Sequence, residues 1–351
     1  LLTSVEIAEE RNKKDVFLVV KGEFEQFICD DELNFNNFTG KGTQADPYLI
    51  ENEDHLRCLA KKVNLGTDTK GVYFLQTSDI DVGSGGDWLP IGNKNTPFCG
   101  VYNGNNFTVS EMQIVPTNTY QGLFGHTDNA EVKNLTVSGK ITKRMNDFYT
   151  YTGGIIGLAY ATDIINCKNL CKIEDNIAEN GDCTGGIVGR AENGSYIKKC
   201  ENLGNIDRGG YVGGICGCAT VNGNANEGVI IEDCINRGDV VTLNVGKTNA
   251  DYSGSSLGGI CGEFIVGEMR GTNENYGKIG ARIVSGGICG VIHNTVNLEK
   301  SVLINHEEAS FSEAKATFIG GIFGVYSCYV SLIKKPNLEI YGTFINKANI
   351  Q

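Results

Sequence analysis

Proline is nearly absent from this chain, with 5 residues in 351, and tryptophan (1), methionine (3) and histidine (4) are as scarce. So little proline argues against a disordered or collagen-like chain and leaves the backbone donors available for hydrogen-bonded ladders. Basic residues are also short: 30 Lys and Arg stand against 42 Asp and Glu, for a formal charge of −12. A chain of that sign lacks the basic face that nucleic-acid binding requires and is not drawn to anionic lipid. No apolar run approaches the ~18 residues of a membrane-spanning helix. Residue 1 is Leu and no secretory leader precedes the chain, so it reads as a mature or trimmed sequence whose address is missing.

What the chain has in quantity is glycine, 47 residues, with 13 cysteines and a hydrophobic fraction of 40%. Glycine without proline suits a β-rich fold with many tight turns and a real core. Thirteen cysteines in so long a chain do not read as a disulfide scaffold, and the number is odd.

The glycines are periodic. Gly-apolar-apolar-Gly occurs seven times, framed by Gly122/Gly125, Gly154/Gly157, Gly186/Gly189, Gly214/Gly217, Gly259/Gly262, Gly287/Gly290 and Gly321/Gly324. Successive copies are 32, 32, 28, 45, 28 and 34 residues apart. A period in this range signals stacked structural repeats. A second motif follows each copy, as in "IINCKNLCKI" (164–173) and "IEDCINRGDV" (231–240). Aligned across repeats, one column reads Leu135, Cys167, Cys200, Cys234, Asn273, Leu303, Leu338. The column two places on reads Val137, Asn169, Asn202, Asn236, Asn275, Asn305, Ile340.

Columns of one residue type are what a parallel β-coil stack produces, because each coil lies ~4.8 Å above the last and like touches like. An asparagine column hydrogen-bonds up the stack, and end coils revert to aliphatics. The expected fold is a single all-β right-handed parallel β-helix of about ten coils. Within "GGICG" (213–217) the Ile points to the core. The glycines serve a tight bend, where φ is positive or backbones approach closely. Cys216, Cys261 and Cys289 share their place with Phe124, Ile156, Val188 and Phe323, so they and Cys167, Cys200 and Cys234 read as buried, reduced thiols. A one-dimensional column offers no convergent tetrahedral metal cluster. The other seven cysteines carry no pattern.

Residues 39–115 are organised differently. Leu56, Leu59, Ala60 and Val63 form one stripe of a short helix, with Asn52 as N-cap and Gly66 as stop. Such a helix closes the open end of the solenoid. Strands follow at 72–82, 87–92 and 98–114, with a turn at Asn103-Gly104. Residues 1–38 lack the repeat and form an extra segment, while 116–351 continue the capped part as one domain.

The order "GTQADPYLIENEDHLRCLAKKVN", "YFLQTSDIDV", "DWLPIG", "PFCGVYNGNNFTVSEMQI", "QGLFG" resembles bacterial surface proteins bearing GLUG motifs, over residues 39–325. Such regions also stand beside the catalytic part of bacterial IgA-specific metallopeptidases. The resemblance implies an exported, cell-surface β-helix used for adhesion or as a stalk. The His-Glu-x-x-His zinc motif of those peptidases is missing, since "HEEAS" (306–310) has no second histidine.

Other candidate chemistry is sparse. His55, His126, His293 and His306 share no repeat column. Asp79, Asp81 and Asp87 alternate with glycine and offer oxygen ligands for Ca²⁺, though without the twelve-residue loop pattern. Glu174, Asp207 and Asp239 fall near equivalent places and are the acids a carbohydrate-active enzyme would need, but Asp207 and Asp239 do not share a column. Asn37, Asn106, Asn134 and Asn193 begin N-glycosylation sequons. The 45-residue gap between Gly214 and Gly259 points to an insertion, and residues 242–256 with Tyr252 are the candidate binding loop.

These observations lead to a non-catalytic, monomeric, extracellular or surface protein without cofactor or membrane span, whose partner is a host or cell-surface glycan or protein. A polysaccharide lyase or hydrolase on the same fold is the alternative, and a purely structural spacer the second.

Overall fold

The structure, a computed structural model, describes residues 27–114, 119–143, 150–175, 182–207, 210–222, 227–241, 256–280, 284–311, 318–327 and 341–348. The loop 242–255, most of the extra segment (1–26), and Leu338 and Ile340 lie outside the described residues.

The chain is an all-β parallel solenoid of about six turns. One complete coil shows its plan. Tyr151–Gly153 lies on a first face, Ile156–Tyr160 and Asp163–Ile165 on a second, and Lys168–Asn169 and Lys172–Asp175 on a third. Each pairs in parallel with its equivalent 32 or 33 residues on, for example Thr152 with Thr184, Leu158 with Arg190, and Asn169 with Asn202. Among the described residues seven strands stack on the first face, from Tyr120–Gln121 to Phe318–Gly320. The expected ten coils are too many. The N-terminal strands Tyr48–Ile50, Tyr73–Gln76, Ile80–Asp81 and Val101–Asn103 extend only the second and third faces and close no further turn.

Side chains pointing inward form columns one residue wide. Ile155, Ile187, Ile215, Ile260 and Ile288 are all fully buried, so the Ile of five of the seven glycine motifs, that of Gly213–Gly217 included, points to the core. A second column runs Phe124, Ile156, Val188, Cys216, Cys261, Cys289 in paired register. A third runs Val132, Ile164, Ile197, Ile231, Met269. Each such aliphatic contributes about 1.5–3 kcal/mol of burial, against the ordering entropy of its coil.

The corners are built by residues other than the motif glycines. Asn134, Asn166, Lys199 and Asp233, at φ of 53°, 54°, 53° and 55°, turn the chain from the second face to the third in successive coils. Asn166 Nδ2 donates to Asn134 Oδ1 across coils at 2.9 Å. Asparagine tolerates this left-handed conformation better than most residues, which accounts for part of its abundance.

The helix Glu53–Leu65 caps the N-terminal end. Asn52 Oδ1 accepts from His55 N at 3.0 Å, and Gly66, at φ 105°, ends the helix. Its stripe of Leu56, Leu59, Ala60 and Val63 is buried over the first coil. Below it Phe35, Phe74, Phe98 and Phe124 follow one another at centroid separations of 5.1, 5.9 and 5.1 Å. Residues 27–38 are fastened to the helix. Cys29 is bonded to Cys58, and Lys62, fully buried, pairs with Asp30 and donates to Glu32 O at 2.9 Å.

Candidate functional site

The two sequence motifs of each repeat meet inside the solenoid. Asn169 Nδ2 donates to Asn202 Oδ1, Asn202 to Asn236 and Asn236 to Asn275, each at 2.8 Å. Asn275 donates to Asn305 at 2.9 Å and Asn305 to Asn346 at 3.0 Å. The same Nδ2 groups donate to the carbonyl two residues on, as from Asn202 to Gly204 at 2.9 Å and from Asn236 to Gly238 at 2.8 Å. Asn169 through Asn305 are fully buried, so the ladder bonds among them are made out of water, while Asn346 at the end of the ladder is exposed. The ladder ends differently from expectation. Its last member is Asn346, paired with Asn305, while Phe344 pairs with Leu303, so the C-terminal alignment on Leu338 and Ile340 is out of register. At the other end Val137 faces Asn169, as expected of a terminal coil.

The ladder explains the glycines. A Cβ on Gly214 would lie 2.2 Å from Asn236 Cγ and 2.1 Å from Gly259 O. Gly154, Gly186, Gly259, Gly287 and Gly321 face Asn169, Asn202, Asn275, Asn305 and Asn346 in the same way. Gly125, Gly157, Gly189, Gly217, Gly262, Gly290 and Gly324 abut neighbouring coils. Of the fourteen motif glycines only Gly122 has a left-handed φ, 159°, so close approach and not turn geometry is what selects glycine.

The six column thiols are buried and free. Burial pushes the thiols of Cys200, Cys234, Cys261 and Cys289 well above their ordinary range. Cys171 is a further buried free thiol, and Cys99 is half-buried. Alkylation of the native protein by iodoacetamide should therefore be fast at no more than Cys99 among these described free thiols, and general only after unfolding. Mass spectrometry of tryptic peptides counts them, and rapid native labelling of the Cys200–Cys234 column would refute the burial.

Two disulfides escaped sequence reasoning: Cys29–Cys58 and Cys183–Cys218, the second tying adjacent coils. A signal existed. Cys183 sits in a column otherwise led by Tyr120, Tyr151 and Tyr211, and Cys218 in one of His126, Leu158, Arg190 and Glu263. These two cysteines are foreign to their columns, whereas the six structural ones continue theirs.

The candidate acids and calcium ligands do not converge. Asp79 Oδ1 accepts from Thr108 N and Asp81 Oδ1 from Gly83 N, both at 2.8 Å. The carbonyls of Val82, Gly86 and Asp87 instead receive Arg57, whose guanidinium lies 5.4 Å from the Trp88 ring. Three of the carbonyls there are thus taken by a guanidinium, and no group of three or more His, Cys, Asp or Glu suited to a metal occurs among the described residues. Glu174 and Asp207 are paired in register, and Asp239 stands outside that column. The ammonium of Lys140, then that of Lys172, holds Glu174 below the usual carboxylate range, the wrong direction for a general acid. Asp163 is the carboxyl raised by partial burial and by Glu131, its partner on the preceding coil.

The histidines are dispersed too. His306 stacks on Tyr276 at 3.8 Å and pairs with Glu274 at 2.7 Å, and His293 faces Glu263 at 3.1 Å. His126 Nδ1 lies 3.2 Å from Asn93 O. Burial depresses the His126 imidazole below its ordinary value, opposed by that hydrogen bond. The unfolded chain then takes up this proton first as pH falls, so the contribution of His126 to stability is present above pH ~6.5 and lost below it. Urea unfolding of wild type and His126→Gln at pH 7.5 and 5.5 should show a smaller acid loss in the variant.

Beside His126 lies a groove of about 310 Å³, where the end of the helix meets the first coil. Asn64, Leu89, Pro90, Asn93, Lys94 and Tyr120 line it. Asn93 Nδ2 donates to Asn64 Oδ1 at 3.2 Å, and Asn64 Nδ2 to Pro90 O at 2.9 Å. The Tyr120 ring stacks on Tyr151 at 5.7 Å and 21°, and Arg190 lies over Tyr151 at 5.1 Å. Sequence reasoning missed this groove because its walls come from three segments with no shared motif.

Fold and site together define a helix-capped parallel β-solenoid with internal asparagine and thiol columns. The solenoid resembles the crystal structure of a Bacteroides ovatus protein provisionally named as an immunoglobulin A1 protease, with a TM-score of 0.52 at 18% identity over 88% of this chain and 85% of that one. At that identity the likeness shows the fold alone. In sequence, 107 residues are 35% identical to a protein of Evansella cellulosilytica provisionally named as a Gly-rich membrane protein. The match spans 28% of this chain and 12% of that protein's length. No family model matches the chain.

Proposed function

We propose that the chain is a non-catalytic surface protein that displays a ligand-binding face on a β-solenoid support, in the manner of an adhesin. The observation that carries this reading is the disulfide Cys183–Cys218, which clamps neighbouring coils and suits a chain that works outside the reducing cytosol. The membrane-protein name of the Evansella relative is consistent with such a location. The inward side chains are spent on the ladder and core columns, so recognition falls to the outer faces and loops.

A binding screen of the purified chain against glycan and matrix-protein arrays, with a reducing-sugar and unsaturated-product assay on the same polysaccharides, tests this function. Saturable binding without turnover supports display. Turnover would replace it with the enzyme reading and direct attention to Glu174, Asp207 and the Asp163–Glu131 pair. Absence of binding to any arrayed ligand would favour the bare spacer.

A further inference from the structure

We propose that the groove at Tyr120 is a binding site for an acidic pyranose, a sugar ring carrying a carboxylate. Its volume of about 310 Å³ falls in the range of small-ligand sites, which join apolar walls to a few placed polar groups. Leu89, 47% exposed, forms an apolar ledge beside Pro90. Tyr120 supplies a flat wall. Its ring is backed by Tyr151, whose hydroxyl accepts from Arg190 Nη1 at 3.1 Å, so the platform is rigid before any ligand arrives.

Lys94 supplies the charge preference. It is exposed and has no carboxylate partner among the described residues, whereas Lys140, Lys172, Lys198 and Arg237 are all tied to glutamates. An uncommitted ammonium lining a groove of a chain with net charge −12 is a local attraction for an anion. One ammonium beside an aromatic wall suits a carboxylate on a ring. A phosphate site would present several converging donors. His126, hydrogen-bonded to Asn93 O and 5.5 Å from the Tyr120 ring, ties the backbone next to Lys94 to that wall.

This inference rests on the display reading for where such a ligand is met, but the groove is tested on its own. The whole chain is titrated by NMR or calorimetry with trigalacturonate and with 3′-sialyllactose, beside neutral maltotriose and lactose. At least one acidic probe should bind saturably, which also separates a uronate from a sialate. Lys94→Gln, on an exposed turn, should weaken that binding about tenfold, and Tyr120→Leu about three- to tenfold, with circular dichroism confirming the fold. Equal affinity for the neutral probes, or binding indifferent to Lys94→Gln, would overturn the proposal. So would no saturation below about 10 mM. If array ligands are retained by both variants, the groove proposal fails while surface display stands.

Discussion

Asn236→Asp should cost the solenoid about 3–6 kcal/mol, most of the stability of an ordinary domain. The native Nδ2 donates to Gly238 O and to Asn275 Oδ1, both at 2.8 Å, in a fully buried column. A carboxylate there sets oxygen against oxygen twice, strands two buried acceptors, and carries a charge with no cation beside it. The effect has a definite pH sign. The buried aspartate has a folded-state pKa above the unfolded value of ~3.9, so the folded state binds the proton more tightly and the deficit grows as pH rises. Urea unfolding of the variant from pH ~4 to 8 should show stability falling with pH, opposite to the behaviour expected of His126. A variant within about 1 kcal/mol of wild type at neutral pH would show that the ladder is not closed to water.

The second large effect is Gly214→Ala. Its methyl would sit 2.1 Å from Gly259 O and 2.2 Å from Asn236 Cγ, and neither can retreat. The oxygen belongs to the next coil's backbone, and the amide is held by the ladder. Ordinary overpacking costs about 1–3 kcal/mol; displacing two coils and a ladder bond together should exceed about 3 kcal/mol. Gly86→Ala is the contrasting control. Gly86 has φ 76° but nothing within 4 Å of its would-be Cβ, so only backbone strain of about 1 kcal/mol applies. If thermal unfolding shows both variants losing similar stability, turn geometry and not the ladder is what these glycines serve.

The repeat was legible because a solenoid writes its third dimension into the sequence as period. Residues that touch are one coil apart, so Cys167, Cys200 and Cys234, or Asn202 and Asn236, align by eye. The helix was legible too, since Asn52, the Leu56–Val63 stripe and Gly66 are local signals. What was not legible depends on residues out of step with the period. The disulfide partners and the groove join columns or segments that spacing alone does not bring together. The last coil was misread because Leu338 and Ile340 mimic the column pattern, while the chain places Phe344 and Asn346 there. The N-terminal strands were overcounted as coils because strand signals carry no information about which faces a coil will close.

The asparagine ladder also has a sense of direction. Every amide from Asn169 to Asn305 gives its N–H toward the next coil, ending on Asn346 Oδ1, and carbonyls such as those of Gly204, Gly238 and Gly277 select that orientation by accepting the second N–H. No single member can rotate by itself, because a reversed amide would oppose oxygen to oxygen on one side and N–H to N–H on the other. The amide dipoles therefore add head to tail, and the interior of the solenoid is a polarised rod, with its negative pole near Asn169 under the helix-capped end and its positive pole at Asn346. The two ends of this protein differ electrically before any surface charge is counted.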